Sequence, residues 1–147
     1  LRSGVASTLT AMGTVLWQQA RLPEAMNKLE EALTIQIGKF GRHHEAVTEA
    51  MLLIGLVHQD QGKFKQALTT FESVLQLDVD IHGSNIHPHI AGTLNNMATI
   101  YRDQGDYPRA LDHYERSLKI NRKIFGGDVH PDISATLANL GVVYQER

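Results

Sequence analysis

The feature that most constrains this chain is a segment it states four times. "TLTAMGTVLW" (8–17), "AMLLIGLVHQ" (50–59), "TLNNMATIYR" (93–102) and "TLANLGVVYQ" (136–145) share one pattern. A second segment appears three times, as "ARLPEAMNKLEEALTI" (20–35), "GKFKQALTTFESVLQL" (62–77) and "GDYPRALDHYERSLKI" (105–120). Leu9 to Met51 is 42 residues, and Met51 to Leu94 and Leu94 to Leu137 are 43 each. The one-residue slip falls where "GRHH" is shorter than "GSNIH" and "GGDVH". Length that varies between elements and not within them is what stacked repeats predict.

Both segments are helical by period. Leu94, Met97, Ala98 and Tyr101 stand at i, i+3, i+4 and i+7, one apolar stripe. Leu9, Met12, Gly13, Leu16 and Leu137, Leu140, Gly141, Tyr144 repeat it. In the second segment Tyr107, Ala110, Tyr114 and Leu118 mark one face, matched by Phe64, Ala67, Phe71, Leu75 and by Leu22, Ala25, Leu29, Leu33. Gly13, Gly55, Ala98 and Gly141, with Ala25, Ala67 and Ala110, remove bulk where two helices cross, and large partner residues fill that space. "HPH" and "HPD" put Pro88 and Pro131 in a first helical turn, where the missing N–H costs nothing, and Asp132 adds negative charge at the positive end. "DQG" at 60–62 and 103–105 ends the first helix of a pair with a glycine suited to a left-handed cap. The pattern predicts seven helices in four antiparallel pairs, the last pair lacking its second member.

The totals exclude several classes. The 147 residues carry a net charge of −2 with Lys and Arg scattered, so no basic field argues for nucleic acid or an anionic membrane. At 42% apolar and 20% charged, the chain is too apolar for disorder. There is no cysteine, which excludes disulfides and thiolate zinc sites and suits a reducing, cytoplasmic setting. No apolar run reaches the ~18 residues of a membrane span. The chain starts at Leu1 with no signal pattern, and it reads as a piece of something longer.

The small residue before an aromatic, the Gly-x-aromatic turn and the alanine three further on resemble the tetratricopeptide repeat. The longer period and the His-Pro opening, with "LNNMATIYRDQGDYPRALDHYERSLKI" within it, are similar to the kinesin light chain and nephrocystin-like subtype. The first repeat departs most: Leu16 stands for the aromatic, Ala20 for the turn glycine and "SGVA" for the His-Pro opening. The resemblance implies an all-α fold, a right-handed α-α superhelix of about three and a half helical hairpins. It further implies a single array over residues 1–147, with repeats at about 3–41, 44–83, 87–126 and a partial 130–147. First helices would line a concave wall.

On that reading, residues rotated one step from the apolar stripe look into a groove. They are Thr10, Thr14 and Trp17; Leu52, Leu56 and Gln59, with Glu49 one turn earlier; Asn95, Thr99 and Arg102, with Asn96 at the margin; and Ala138, Val142 and Gln145. Leucines flanked by amides and hydroxyls suit a peptide segment of a partner protein, with Leu52 and Leu56 taking an apolar anchor and Asn95 bonding its backbone. The competing reading has the leucines contacting neighbouring repeats, Asn95 solvated, and the module acting as a spacer or in self-association. Trp17 is either an interface anchor or packs on an upstream repeat. The clamp by which some tetratricopeptide domains hold a terminal carboxylate finds only Asn96 among Thr10, Thr14, Gly92 and Asn96. The acidic-peptide specificity of kinesin light chains is not expected, because Arg102 stands against Glu49, Asp60, Asp103 and Glu146.

His44, His87 and His130 recur at the loop-to-helix position and read as helix caps; His87 and His89 lack a third ligand in sequence, so no metal is expected. No nucleophile elbow or phosphate loop occurs, so neither catalysis nor a cofactor is expected. The last helix exposes Leu137, Leu140, Val143 and Tyr144 if nothing covers it, which predicts association through the end helices with a further copy.

Overall fold

The computed structural model describes residues 2–127 and 130–146. The described residues form seven α-helices: α1 (Arg2–Gln18), α2 (Leu22–Phe40), α3 (Glu45–Asp60), α4 (Phe64–His82), α5 (Pro88–Asp103), α6 (Tyr107–Phe125) and α7 (Pro131–Glu146). The chain divides into two compact units at the Ile81–His82 boundary, inside the last turn of α4.

Helix starts follow one local rule. His44, His87 and His130 each accept, through Nδ1, the backbone N–H two residues on, from Ala46, His89 and Asp132 at 3.0, 3.1 and 3.1 Å. Each N-cap therefore meets a donor that the helix leaves without a partner. The same rings stack on the aromatic that ends the preceding helix: Phe40 on His44 at 3.9 Å, His82 on His87 at 3.7 Å and Phe125 on His130 at 3.6 Å. One imidazole thus caps the incoming helix and is held by the outgoing one. His44→Ala is expected to cost about 0.5–2 kcal/mol, and to speed amide exchange in the first turn of α3. His44→Asn, which keeps a cap acceptor and loses the stack, should fall between the two. An Ala variant as stable as the parent would remove the cap from this account.

Between helices of a pair the chain turns through positive φ. Gly62 and Gly105 take φ of 74° and 77°, and in the first repeat Ala20 takes 60° with a Cβ in place. Left-handed backbone is costly for a residue with a side chain; the turn holds Ala20 there through its N–H to the Trp17 carbonyl and that of Arg21 to Leu16.

In the N-terminal unit Ala25, Met26, Leu29, Ile54 and Val57 form a buried cluster, ringed by Leu16, Trp17, Leu22, Leu33 and Leu53. In the C-terminal unit Ala98, Ala110, Tyr114, Leu118, Ile133, Leu140 and Val143 do the same. The spacing of small residues has the packing role expected of it at Gly13, Gly55 and Ala98 but not at Gly141, where no described atom lies within 4 Å of a Cβ position because no described helix crosses α7 there. Gly13 faces Leu29 and Gly55 faces Phe71 so closely that a Cβ would stand 2.8 Å and 2.6 Å from them; Ala98 lies in one cluster with Tyr114.

Two parts of the apolar stripe depart from expectation. Met12 is 43% exposed, because no described element packs over that side of α1. On α7, Leu137 and Tyr144 are exposed as expected, but Leu140 and Val143 are buried in the cluster around Tyr114. Helix α6, with Ala98 of α5 in the same cluster, covers that half of the face, so the bare patch is narrower than the sequence suggests.

Candidate functional site

The stripe one step round from the core is the surface that the first helix of each pair leaves uncommitted. On α1, Thr10 and Thr14 are half-buried and their hydroxyls donate to the carbonyls of Ala6 and Thr10, at 3.0 and 2.9 Å. Their hydrogens are thus used within the helix, and each oxygen keeps acceptor capacity. Trp17 ends this stripe. Its half-buried ring sits against the N-terminal cluster and its indole N–H donates to Asp60 Oδ2 at the end of α3. The tryptophan joins two successive first helices of the same unit, a role that neither reading of the sequence assigned to it.

Helix α3 touches α1 and carries the parallel stripe. Glu49 is exposed, and Leu52, Leu56 and Gln59 are half-buried, while Ile54, Gly55 and Val57 close on the core. Two leucines at i and i+4 therefore stay partly open beside a row of polar groups. His58, on the same last turn, has its pKa lowered first by burial and then by Lys63, so it is a neutral ring at pH 7.

On α5, Asn95, Asn96, Thr99 and Arg102 are half-buried. Arg102 lies 3.6 Å from Asp103, which takes up part of its charge. The Thr99 hydroxyl donates to the Asn95 carbonyl at 3.1 Å and lies 2.7 Å from Tyr114 Oη. With its one hydrogen given to Asn95, Thr99 accepts from the tyrosine. Tyr114 is fully buried, and burial first of all raises its pKa, so the phenol stays protonated. Asn95 itself differs from its neighbours: its Oδ1 is buried and has no hydrogen-bond partner among the described residues. On α7, Ala138 and Val142 are exposed, as is Gln145.

Helical hairpins with small-on-large crossings and His-capped starts define a helical-repeat protein. The tetratricopeptide repeat profile matches residues 4–78 and 89–147, and the chain belongs to that family. Among curated proteins no sequence match is found. Solved structures share the fold. BtubC (BKLC) from P. vanneervenii superposes with a TM-score of 0.85 at 23% identity, over 95% of this chain and 55% of its own. A kinesin light chain-like protein of Podosopora anserina, with nearly identical TPR-like repeats, gives 0.82 at 19%, over 99% and 67%. PcrH, in complex with the chaperone binding region of PopD, gives 0.69 at 15%, over 95% and 91%. The chain thus spans about half the length of BtubC, and in fold its repeats are of the kinesin light chain type. No described helix is long and apolar enough to cross a membrane.

Proposed function

We propose that this chain is a protein-interaction module that binds a peptide segment of a partner along the stripes of its first helices. The observation that carries this reading is Asn95. A buried side-chain amide oxygen without a donor costs about 1–3 kcal/mol, and a ligand backbone N–H that displaces the side chains covering Asn95 Oδ1 would recover it. Within the N-terminal unit, Leu52 and Leu56 offer an apolar seat on α3, and the stripe's acids argue against a preference for acidic ligands. PcrH, of the same fold, is described with a segment of another protein bound, which supports this use of the fold.

A second reading, self-association, is favoured by Val5, Met12 and Val15 on α1 and Leu137 and Tyr144 on α7, all of them large and exposed. One experiment separates the two. A random peptide library is screened against the parent, and the selected peptides are titrated against Leu52→Asp, Asn95→Ala and the double variant, with mass followed by light scattering. Peptide binding predicts a loss of at least about tenfold for the double variant, which is 1.4 kcal/mol, at unchanged mass. Equal binding by all forms removes the stripe from consideration, and a concentration-dependent dimer that selects no peptide favours self-association.

A further inference from the structure

The three junctions between repeats are built alike, and one of them differs in its chemistry. Where a second helix ends, the first and third junctions place Phe40 and Phe125 on the capping histidine, and the middle junction places His82 there. Two residues after the cap, the first and third carry Ala46 and Asp132, and the middle carries His89. These two departures fall at one place, around His87, and turn a lone capping imidazole into three. His82 is the residue that sequence spacing passed over, because it closes α4 rather than opening α5.

We propose that His82, His87 and His89 form a binding site for a divalent transition-metal ion of the zinc class. One ring nitrogen from each lies within 4.8 Å of the others, and all three residues belong to the C-terminal unit. Imidazole is a favoured ligand for Zn2+, and tetrahedral coordination at about 2.0–2.1 Å would bring the nitrogens to roughly 3.3 Å apart. The nitrogens must therefore close by up to about 1.5 Å, a distance within the reach of side-chain rotation. His82 and His87 stand parallel within 9° with ring centres 3.7 Å apart, so both rings leave the stack for their in-plane lone pairs to converge on one ion. His89 already meets both rings edge-on, at 71° and 69°. His82 and His87 are half-buried and His89 is exposed, which gives an ion a way in and leaves a coordination position for water.

Ring 87 is where the ion meets resistance. Its Nδ1 accepts the His89 N–H at 3.1 Å, so the neutral ring carries its proton on Nε2. Metal at Nε2 moves that proton to Nδ1, and metal at Nδ1 takes the acceptor directly. In both cases the cap of α5 is given up. The ion therefore competes with the helix start, which sets the affinity below that of a preformed site and links metal binding to the first turn of α5.

The test is titration of chelator-stripped protein with Zn2+ by calorimetry, with amide resonances followed in parallel. One ion per chain is expected, with the His89 amide moving while the equivalent Ala46 and Asp132 amides stay in place. His82→Phe and His89→Ala install residues that sister junctions already carry, so both should fold, as circular dichroism would verify. Each should weaken binding by at least about tenfold, since loss of an outer partner alone costs 10–100-fold. His43→Ala, which touches a histidine 3.4 Å from Asp80 in the other unit, should change nothing. Absence of saturable binding up to about 1 mM, equal affinity in His82→Phe and His89→Ala, or an unmoved His89 amide would each overturn the proposal.

Discussion

Gly55→Val is expected to destabilise the N-terminal unit by about 1–3 kcal/mol, toward the upper end of that range, while Gly141→Ala is neutral or stabilises by about 0.5–1 kcal/mol. The two glycines hold the same place in the repeat. A Cβ on Gly55 would lie 2.6 Å from Cε1 of Phe71 and 3.0 Å from Cδ1 and Cζ, and that ring is fully buried, so it has no room to withdraw. Around Gly141 no atom lies within 4 Å of where a Cβ would stand, so alanine there gains helix propensity and meets nothing. The repeat supplies its own scale for what such a crossing tolerates. Gly13 is paired with Leu29, Gly55 with Phe71, and Ala98 shares its cluster with Tyr114. Gly55→Ala should accordingly cost less than valine, and the combination with Phe71→Leu less than the sum, as expected when two changes share a contact. Urea midpoints for these variants and for Phe71→Leu alone measure this. A valine variant with the parent's midpoint would mean that the crossing is looser than these distances require.

That crossing was legible in the sequence because it depends on a single position recurring at fixed spacing. The caps were legible for the same reason: a histidine before proline at 87 and 130 satisfies a helix start through atoms two residues away. Other features depend on the angle at which one helix meets another, which periodicity does not encode. Trp17 and Asp60 are 43 residues apart and meet because α1 and α3 lie side by side; the sequence offered the indole as an anchor or as packing, and not as a tie between repeats. The Phe40, His82 and Phe125 stacks were invisible because each joins the last residue of one helix to the cap of the next across a loop of no fixed pattern. Of the stripe itself, the sequence set Leu52 and Leu56 on one face of α3 and Asn95 at the corresponding register of α5. It had no means of showing that the Asn95 oxygen is shut away from water, since that follows from the neighbouring side chains.

Tyr114→Ala is expected to cost about 3–5 kcal/mol, a large share of the 5–15 kcal/mol that holds a typical domain together. The loss should appear first in α7. Tyr114 is fully buried at the centre of a cluster that draws Ala98 from α5, Ala110 and Leu118 from α6, and Ile133, Leu140 and Val143 from α7. In a repeat protein each element is held by its neighbours alone, and α7 buries its apolar side against α6 and this ring. Removing the ring leaves a cavity whose far wall is α7, so amides over 131–146 should exchange markedly faster while those of α1 and α2 hold. Tyr114→Phe separates packing from the hydroxyl. It keeps the ring and loses only the bond to Thr99, whose own donation to the Asn95 carbonyl persists, so about 0.5–1.5 kcal/mol is expected. Raised above its ordinary pKa by burial, the phenol binds its proton more tightly folded than unfolded. Its contribution is therefore full below about pH 10 and is lost as pH rises beyond that, a loss that Tyr114→Phe should lack. Were α7 to exchange no faster in Tyr114→Ala than in Tyr114→Phe, the ring would not be what holds α7 to its neighbours, and Ile133 and Val143 would have to do so against α6 alone.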